Sequence, residues 1–263
     1  MNFIRCLKSE ALKTKHTILS LLIIISPLLF SSCVLMYYYG RVNANNTATM
    51  TYRIHITILQ LIGGLVVPVA TGICVSIMTR LEYRAGNFQN VLKSPCGKMR
   101  TMLTKITLVL LIEFFVVMLC ALLIFTFSNL IYGLNLGFKM TITIMLIMVL
   151  SSIPMVVFYQ CVGYLSGMWN VLIVSIAGML TAAIIGTTQA GDECWQFIPF
   201  SYPNRVPNLV LNTNITGSYN GEAISLLARN QLQNLMPCLI FVSLAVIIIC
   251  LVLIWKWNVR NKD

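Results

Sequence analysis

The run ITLVLLIEFFVVMLCALLIFTF, residues 106–127, holds a single ionisable side chain, Glu113. A helix rising 1.5 Å per residue needs about 20 apolar residues to cross roughly 30 Å of hydrocarbon. The run meets that length, and five more blocks do the same: 17–39, 54–79, 140–160, 171–190 and 237–255. Uninterrupted apolar runs, rather than period-two alternation, point to helices and away from a closed barrel. The whole chain agrees. Of 263 residues 58% are hydrophobic and 10% charged, with mean hydropathy +0.86, too little charge to cover a soluble domain. The expected fold is all-α and integral to the membrane: six transmembrane helices in one domain over 1–263.

Net charge is +11, and its distribution sets the orientation. Arg5, Lys8, Lys13 and Lys15 precede the first block. Arg80, Arg84, Lys93, Lys98, Arg100 and Lys105 lie between the second and third, and Lys256, Arg260 and Lys262 follow the last. Thirteen of the 18 Lys and Arg thus fall on one side, against Arg41, Arg53, Lys139, Arg205 and Arg229 on the other. The positive-inside rule puts both termini and the 80–105 loop in the cytoplasm. This basic excess is a topology and lipid-headgroup signal, and it argues against nucleic acid as a partner. The first block is too long for a signal-peptide core and no small-residue cleavage pattern follows Tyr37–Tyr39, so it is expected to stay as a span.

Residues 1–16 form an amphipathic segment. Phe3, Ile4, Leu7 and Ala11 share one helical face, with Arg5, Lys8 and Lys13 on the rest. Such a helix lies in the inner interface, and composition alone gives it no role beyond a basic anchor. Glu10 and Lys13 form an i,i+3 pair, worth only a few tenths of a kcal/mol. Gly63-Gly64, Pro68 and Gly72 predict a kink or local unwinding in span 2, as do Pro27 in span 1 and Pro154 in span 4. Gly178, Ala182 and Gly186 make a small-residue stripe in span 5, and Gly163 and Gly167 a second pair, both read as packing within the bundle.

The sizeable outer segment is 190–236. Prolines at 199, 203 and 207 argue against a regular helix there, and Trp195, Phe200 and Tyr202 suit the headgroup level. Residues 222–236 are expected to form a separate amphipathic helix carrying Ile224, Leu227, Leu232 and Leu235, so that 190–236 hugs the interface as a cap. Cys194 and Cys238 bracket this segment. Sequence spacing fixes no disulfide geometry, and free thiols are the expectation.

Absences narrow the chemistry. The chain has no GxxxxGK[ST] loop, no HExxH, no GxSxG elbow and no paired Cys/His spacing. No catalytic residues, metal site or bound cofactor are expected. His16 and His55 are isolated at the two edges and read as polar fringe. Glu113 is the one acid inside a span, about 12 Å along the helix from Lys105. An intramembrane carboxyl is costly and is a functional hypothesis by default. Standing without a charged partner, it reads first as a structural polar group that snorkels, is protonated or bonds a neighbouring helix.

The most informative stretch is cytoplasmic, R80-LEYRAGNFQNVLKS-P95. It predicts a helix through Arg84, a break at Gly86, a second short helix with Phe88, Val91 and Leu92 on one face, and a stop at Pro95. An apolar face on a membrane-tethered loop needs something to pack on, either the bilayer surface or a soluble partner.

At these residues the chain resembles the permease subunits of type 2 ABC exporters, whose first cytoplasmic loop runs Glu, Gly, Leu, small residue, Pro and then a basic residue entering the next span. Glu82, Gly86, Leu92, Ser94, Pro95 and Lys105 follow that order. Within the family it is most similar to lantibiotic-immunity permeases. These open with a Ser/Glu-x-Leu-Lys-x-Lys stretch before a proline-containing span, matched here by Ser9, Glu10, Leu12, Lys13, Lys15 and Pro27. They also carry a Trp…Pro-aromatic-Ser-aromatic-Pro…Arg segment, matched by Trp195, Pro199, Phe200, Ser201, Tyr202, Pro203 and Arg205.

The resemblance implies a multi-pass permease of a bacterial plasma membrane. It implies an ABC ATPase subunit that binds ATP and Mg, a second permease, and an amphiphilic peptide expelled for self-protection. Residues 82–95 would be the coupling element, with Glu82, Tyr83, Arg84, Gly86, Phe88, Val91, Leu92 and Pro95 at the ATPase. Residues 1–16 would be the connecting helix, with Glu10 and Lys13. Trp195, Tyr202 and Arg205 would stand at the outer exit, or simply anchor the cap. Two other classes stay open from residues alone: an ion- or proton-coupled carrier using Glu113, and a non-transporting membrane sensor or scaffold.

Overall fold

The computed structural model describes residues 3–15, 17–39, 41, 47–86, 88, 98–133, 137–188, 191, 192, 194–213 and 221–260, with backbone alone at 15, 18, 47–49, 98, 221–228 and 257–260. Among the described residues six helices are long and apolar enough to cross a membrane: Leu19–Tyr38, Met50–Arg84, Met99–Tyr132, Phe138–Ser166, Met168–Thr187 and Arg229–Lys256, here spans 1 to 6. An even number of crossings leaves both ends on one side, which the basic excess identifies as the cytoplasm. No strand occurs among the described residues. Ahead of span 1 lies a separate helix, α1 (Phe3–Lys15), which packs on the inner part of span 3 and, more lightly, on span 1.

Imino acids and glycines shape the spans where the sequence places them. In span 2 the stretch Leu59–Val66 is π-helical, with the Val67 N–H donating to the Ile62 carbonyl. Pro68 has no N–H to offer the Gly64 carbonyl, so the turn before it widens instead of closing regularly. Span 4 breaks into Phe138–Ser151 and Ile153–Ser166 just before Pro154.

The small residues of span 5 let backbones meet, as expected. A Cβ on Gly72 would fall 2.1 Å from the Ser175 Cβ, and one on Gly178 2.7 Å from the Tyr159 hydroxyl. Span 5 therefore lies tightly against span 2 at Ser175 and Ala182, while Gly178 admits Tyr159 of span 4 and Phe200, and Gly186 admits Asn204.

The outer segment differs from the expectation. Tyr202–Thr213 is an α-helix, here α2, that contains Pro203 and Pro207 and follows two short 3-10 turns. Pro203 stands in the first turn, where an N–H has no partner anyway. Pro207 removes the bond to the Pro203 carbonyl, and that oxygen lies against Gly63, where a Cβ would come within 2.5 Å of it. A bare Cα fits, so the freed carbonyl meets the π-helical turn of span 2.

α2 does not hug the interface. Tyr202, Pro203, Asn204, Pro207 and Leu211 are buried against spans 2, 4 and 6 in the outer half of the bundle. Nor is 222–236 a separate helix: Gly221–Arg260 runs as one 40-residue helix into and through span 6, with Pro237 inside it. His55 is not fringe either. It is buried, with Nδ1 2.8 Å from the Thr51 carbonyl and Nε2 3.1 Å from the Thr141 hydroxyl, tying span 2 to span 4. His16 lies outside the described residues.

Candidate functional site

Three elements meet at the inner face: α1, the end of span 2 and the start of span 3. Span 2 runs helical through Arg84 and closes at Gly86, whose φ of 115° a glycine adopts without strain. One turn before that end, Glu82 points inward, 3% exposed. Its Oε1 lies 2.9 Å from Nζ of Lys105 on span 3 and 3.1 Å from Nζ of Lys13 on α1. Lys13 also donates to Glu10 at 2.7 Å. Two acids and two bases thus form one chain, Glu10–Lys13–Glu82–Lys105, neutral in sum and crossing three elements.

Burial and charge act on this chain together. Lys105 is 2% exposed, and its ammonium also lies 5.9 Å from the centre of the Tyr164 ring on span 4. Burial works against the charge on Lys13, but the carboxylates of Glu10 and Glu82 outweigh it and raise its pKa above the usual lysine value. Pairing does not make the arrangement strongly stabilising, because withdrawing ions from water offsets most of their attraction. What it fixes is position: α1 and span 3 are each held to the last turn of span 2.

The other loop residues divide. Tyr83 and Arg84 are exposed. Phe88, expected on an outward apolar face, is turned inward. It is buried, with its ring 5.6 Å from that of Tyr164, and its N–H donates to the Glu82 carbonyl at 3.2 Å. Its φ of 65° lies in the left-handed region that non-glycine residues seldom adopt. The chain reverses sharply after Gly86 and lays Phe88 under span 4. Val91, Leu92 and Pro95 lie outside the described residues. Glu82, which the resemblance would place at the ATPase, is engaged within the chain by Lys13 and Lys105.

Tyr164 escaped the sequence reading. Nothing in its local pattern marks it, because its importance comes from the two partners, Phe88 and Lys105, that tertiary packing brings to it.

At the outer face, the cap residues also turn inward. Trp195 and Tyr202 are buried, their rings edge-on with centres 6.3 Å apart, and they pack with Leu239 of span 6. Arg205 caps the end of span 5: its Nε and Nη2 donate to the Ile185 carbonyl at 3.2 and 2.9 Å, Nη2 also to the Thr188 carbonyl, and Nη1 to Asp192 at 2.7 Å. A cation on the last carbonyls of a helix satisfies orphan acceptors and suits the helix dipole. Asn204, buried beside Gly64 and Gly186, is a second residue the sequence did not single out. Cys194 and Cys238 are both free thiols.

Glu113 lies in neither cluster. It is 6% exposed in the interior of span 3, on the wall of a cavity between spans 1, 2 and 3. Among the described residues no group of three or more His, Cys, Asp or Glu could hold a metal ion.

Comparison with curated proteins and with solved structures gives no match. The model of the ABC-2 family transporter proteins matches residues 6–190, from α1 through span 5. That stretch contains the whole Glu10–Lys13–Glu82–Lys105 chain and covers well over half the sequence, so the chain belongs to the ABC-2 transporter family and is a membrane permease of an ABC transporter.

Proposed function

We propose that this permease belongs to an ATP-driven exporter that removes an amphiphilic antimicrobial peptide, of the lantibiotic class, from a bacterial plasma membrane for self-protection. It works with an ABC ATPase and with a second permease, the same chain or a related one. The observation that carries the reading is the Glu82 carboxylate joined to both Lys13 and Lys105 at the root of the 80–105 loop. A loop seated in an ATPase moves a permease only if its displacement reaches the spans. Glu82 is the last buried charge before the loop, so a pull on the loop reaches span 2 through the backbone, span 3 through Lys105 and α1 through Lys13.

Within that frame residues 82–95 dock in the ATPase: Tyr83 and Arg84 are exposed for it, Gly86 sets the turn, and Val91, Leu92 and Pro95 are further proposed contacts. Phe88 packs on Tyr164 and anchors the loop to span 4. ATP and Mg bind to the partner. Peptide specificity is supported by the resemblance of the 9–15 and 195–205 motifs to self-protection permeases.

The test is protection. A sensitive bacterial strain producing this chain with its ATPase should tolerate several-fold more lantibiotic, and Leu92→Asp should remove the gain with normal permease levels. Protection that persists without any ATPase would overturn the export reading. Cysteines placed at Lys98 and Asn261 should resist impermeant thiol reagents in intact cells, and one at Asn214 should react.

A further inference from the structure

Span 6 is the least buried of the six spans. It rests mainly on α2 and the Trp195 turn at its outer end and, further in, on Ile153–Ser166, the second half of span 4. The residues it buries in its inner half are Cys250 and Ile254, with Val246 and Ile247 packed beside them. None of the four carries a charge, so apolar burial and dispersion hold this side of the contact.

Cys161 lies on the facing part of span 4 and, like Cys250, is 3% exposed. The two thiols share a hydrogen bond across the contact, and both are free. A buried cysteine standing alone is a small apolar side chain. Two that meet across a pair of helices are also one covalent bond short of a cross-link. Their sulfurs must close by only on the order of 2 Å to reach a disulfide. Cys161 precedes the end of its helix at Ser166 by five residues, and Cys250 precedes Lys256 by six. Both therefore lie roughly 7–9 Å along their helices from the cytoplasmic ends.

We propose that Cys161 and Cys250 are an oxidation site, which a peroxide converts to a disulfide joining the inner halves of spans 4 and 6. Hydrogen peroxide is uncharged and close to water in size, so it reaches the pair from the cytoplasm without a channel. A Cys161 thiolate attacks the peroxide, the O–O bond breaks, and the departing hydroxide takes up the thiol's proton as water. The Cys250 sulfur then attacks the Cys161 sulfenic acid, the S–O bond breaks, and a second water leaves. Two thiols and one peroxide become one disulfide and two waters, with two electrons passing from sulfur to the peroxide oxygens.

Burial makes both thiols slow to react, so the site answers sustained oxidation. Its effect is on movement: span 6 stays tied to span 4 until a thiol reductant reverses the bond. The site requires neither ATPase nor peptide, so it stands or falls separately from the exporter reading.

The test uses membranes containing the full-length chain. They are treated with hydrogen peroxide, blocked with N-ethylmaleimide in denaturant and digested without reduction, and linked peptides are read by mass spectrometry. Residues 161 and 250 should appear joined, in several-fold greater amount than in untreated membranes, and dithiothreitol should return both to the maleimide-labelled form. Cys250→Ala, which keeps the apolar contact, should leave Cys161 without its link at normal membrane abundance. In detergent the oxidised permease should melt several degrees above the reduced one, and Cys250→Ala should show no such rise. Thiols that stay fully maleimide-labelled after peroxide would overturn the proposal. So would links from Cys161 or Cys250 to other cysteines as frequent as the link between them, or a thermal midpoint that the link does not raise.

Discussion

Nζ of Lys105 sits 2.9 Å from Oε1 of Glu82, with each side chain almost sealed from water. Removing one member of such a pair strands the other charge. Lys105→Ala should therefore destabilise the permease by about 3–5 kcal/mol. The double variant Glu82→Gln, Lys105→Met should recover most of that loss, because no buried charge remains. Thermal midpoints of the detergent-purified permease would check both. A double variant as unstable as the single one would contradict the argument.

Lys13 behaves differently because it is partly exposed. Its pKa stands above the ordinary 10.5, so the stabilisation it brings is fully present below that value and is lost only as pH rises through the higher folded value. Docking of α1 against span 2 is thus expected to be constant between about pH 6 and 9. The distance between spin labels on the exposed positions Leu12 and Tyr83, measured across that interval, should stay flat. A step near neutrality would point to another titrating group.

Phe88 and Leu92 separate two roles that their sequence positions merge. Phe88→Ala removes a buried ring from Tyr164 and should cost about 3 kcal/mol of permease stability. Leu92→Asp should leave the thermal midpoint unchanged and reduce recovery of the ATPase in pull-downs. If Phe88→Ala is as stable as wild type, its ring is not anchoring the loop.

Gly63→Ala should unseat α2 from the bundle. The added Cβ would meet the Pro203 carbonyl at 2.5 Å, and backbone cannot step aside as a side chain can. Proteolysis near 195–213 by protease added to intact cells should become several-fold faster. Gly133→Ala, with open space around it, should change nothing there beyond the strain of its own positive φ.

Arg205→Lys should loosen the same segment from span 5. A lysine cannot fork onto the Ile185 and Thr188 carbonyls and Asp192 together. Spin labels on Thr187 and Asn208 should show a broader distance distribution in this variant, and an unchanged one would count against the clamp.

The six crossings were legible from residue type alone, since a span is a matter of length and apolarity. Pro68 and Gly63-Gly64 also marked the irregular turn of span 2. What stayed hidden depended on partners remote in sequence. Prolines 203 and 207 argued against a helix until Gly63 supplied a place for the freed carbonyl. Glu82 read only as a loop motif residue, because Lys105 and Lys13, which close on it, lie on other elements. Phe88 looked outward-facing because Tyr164, which receives it, lies far along the chain. The 222–236 stretch read as amphipathic on its own, while the helix simply continued into span 6.

Arg205 grips the end of span 5 while Trp195 and Tyr202, only a few residues away, lie against Leu239 of span 6. The short piece of chain between them acts as a stitch across the outer seam of the last two spans. A stitched seam ties the last two spans together at their outer ends, whereas span 1 leans mainly on span 3.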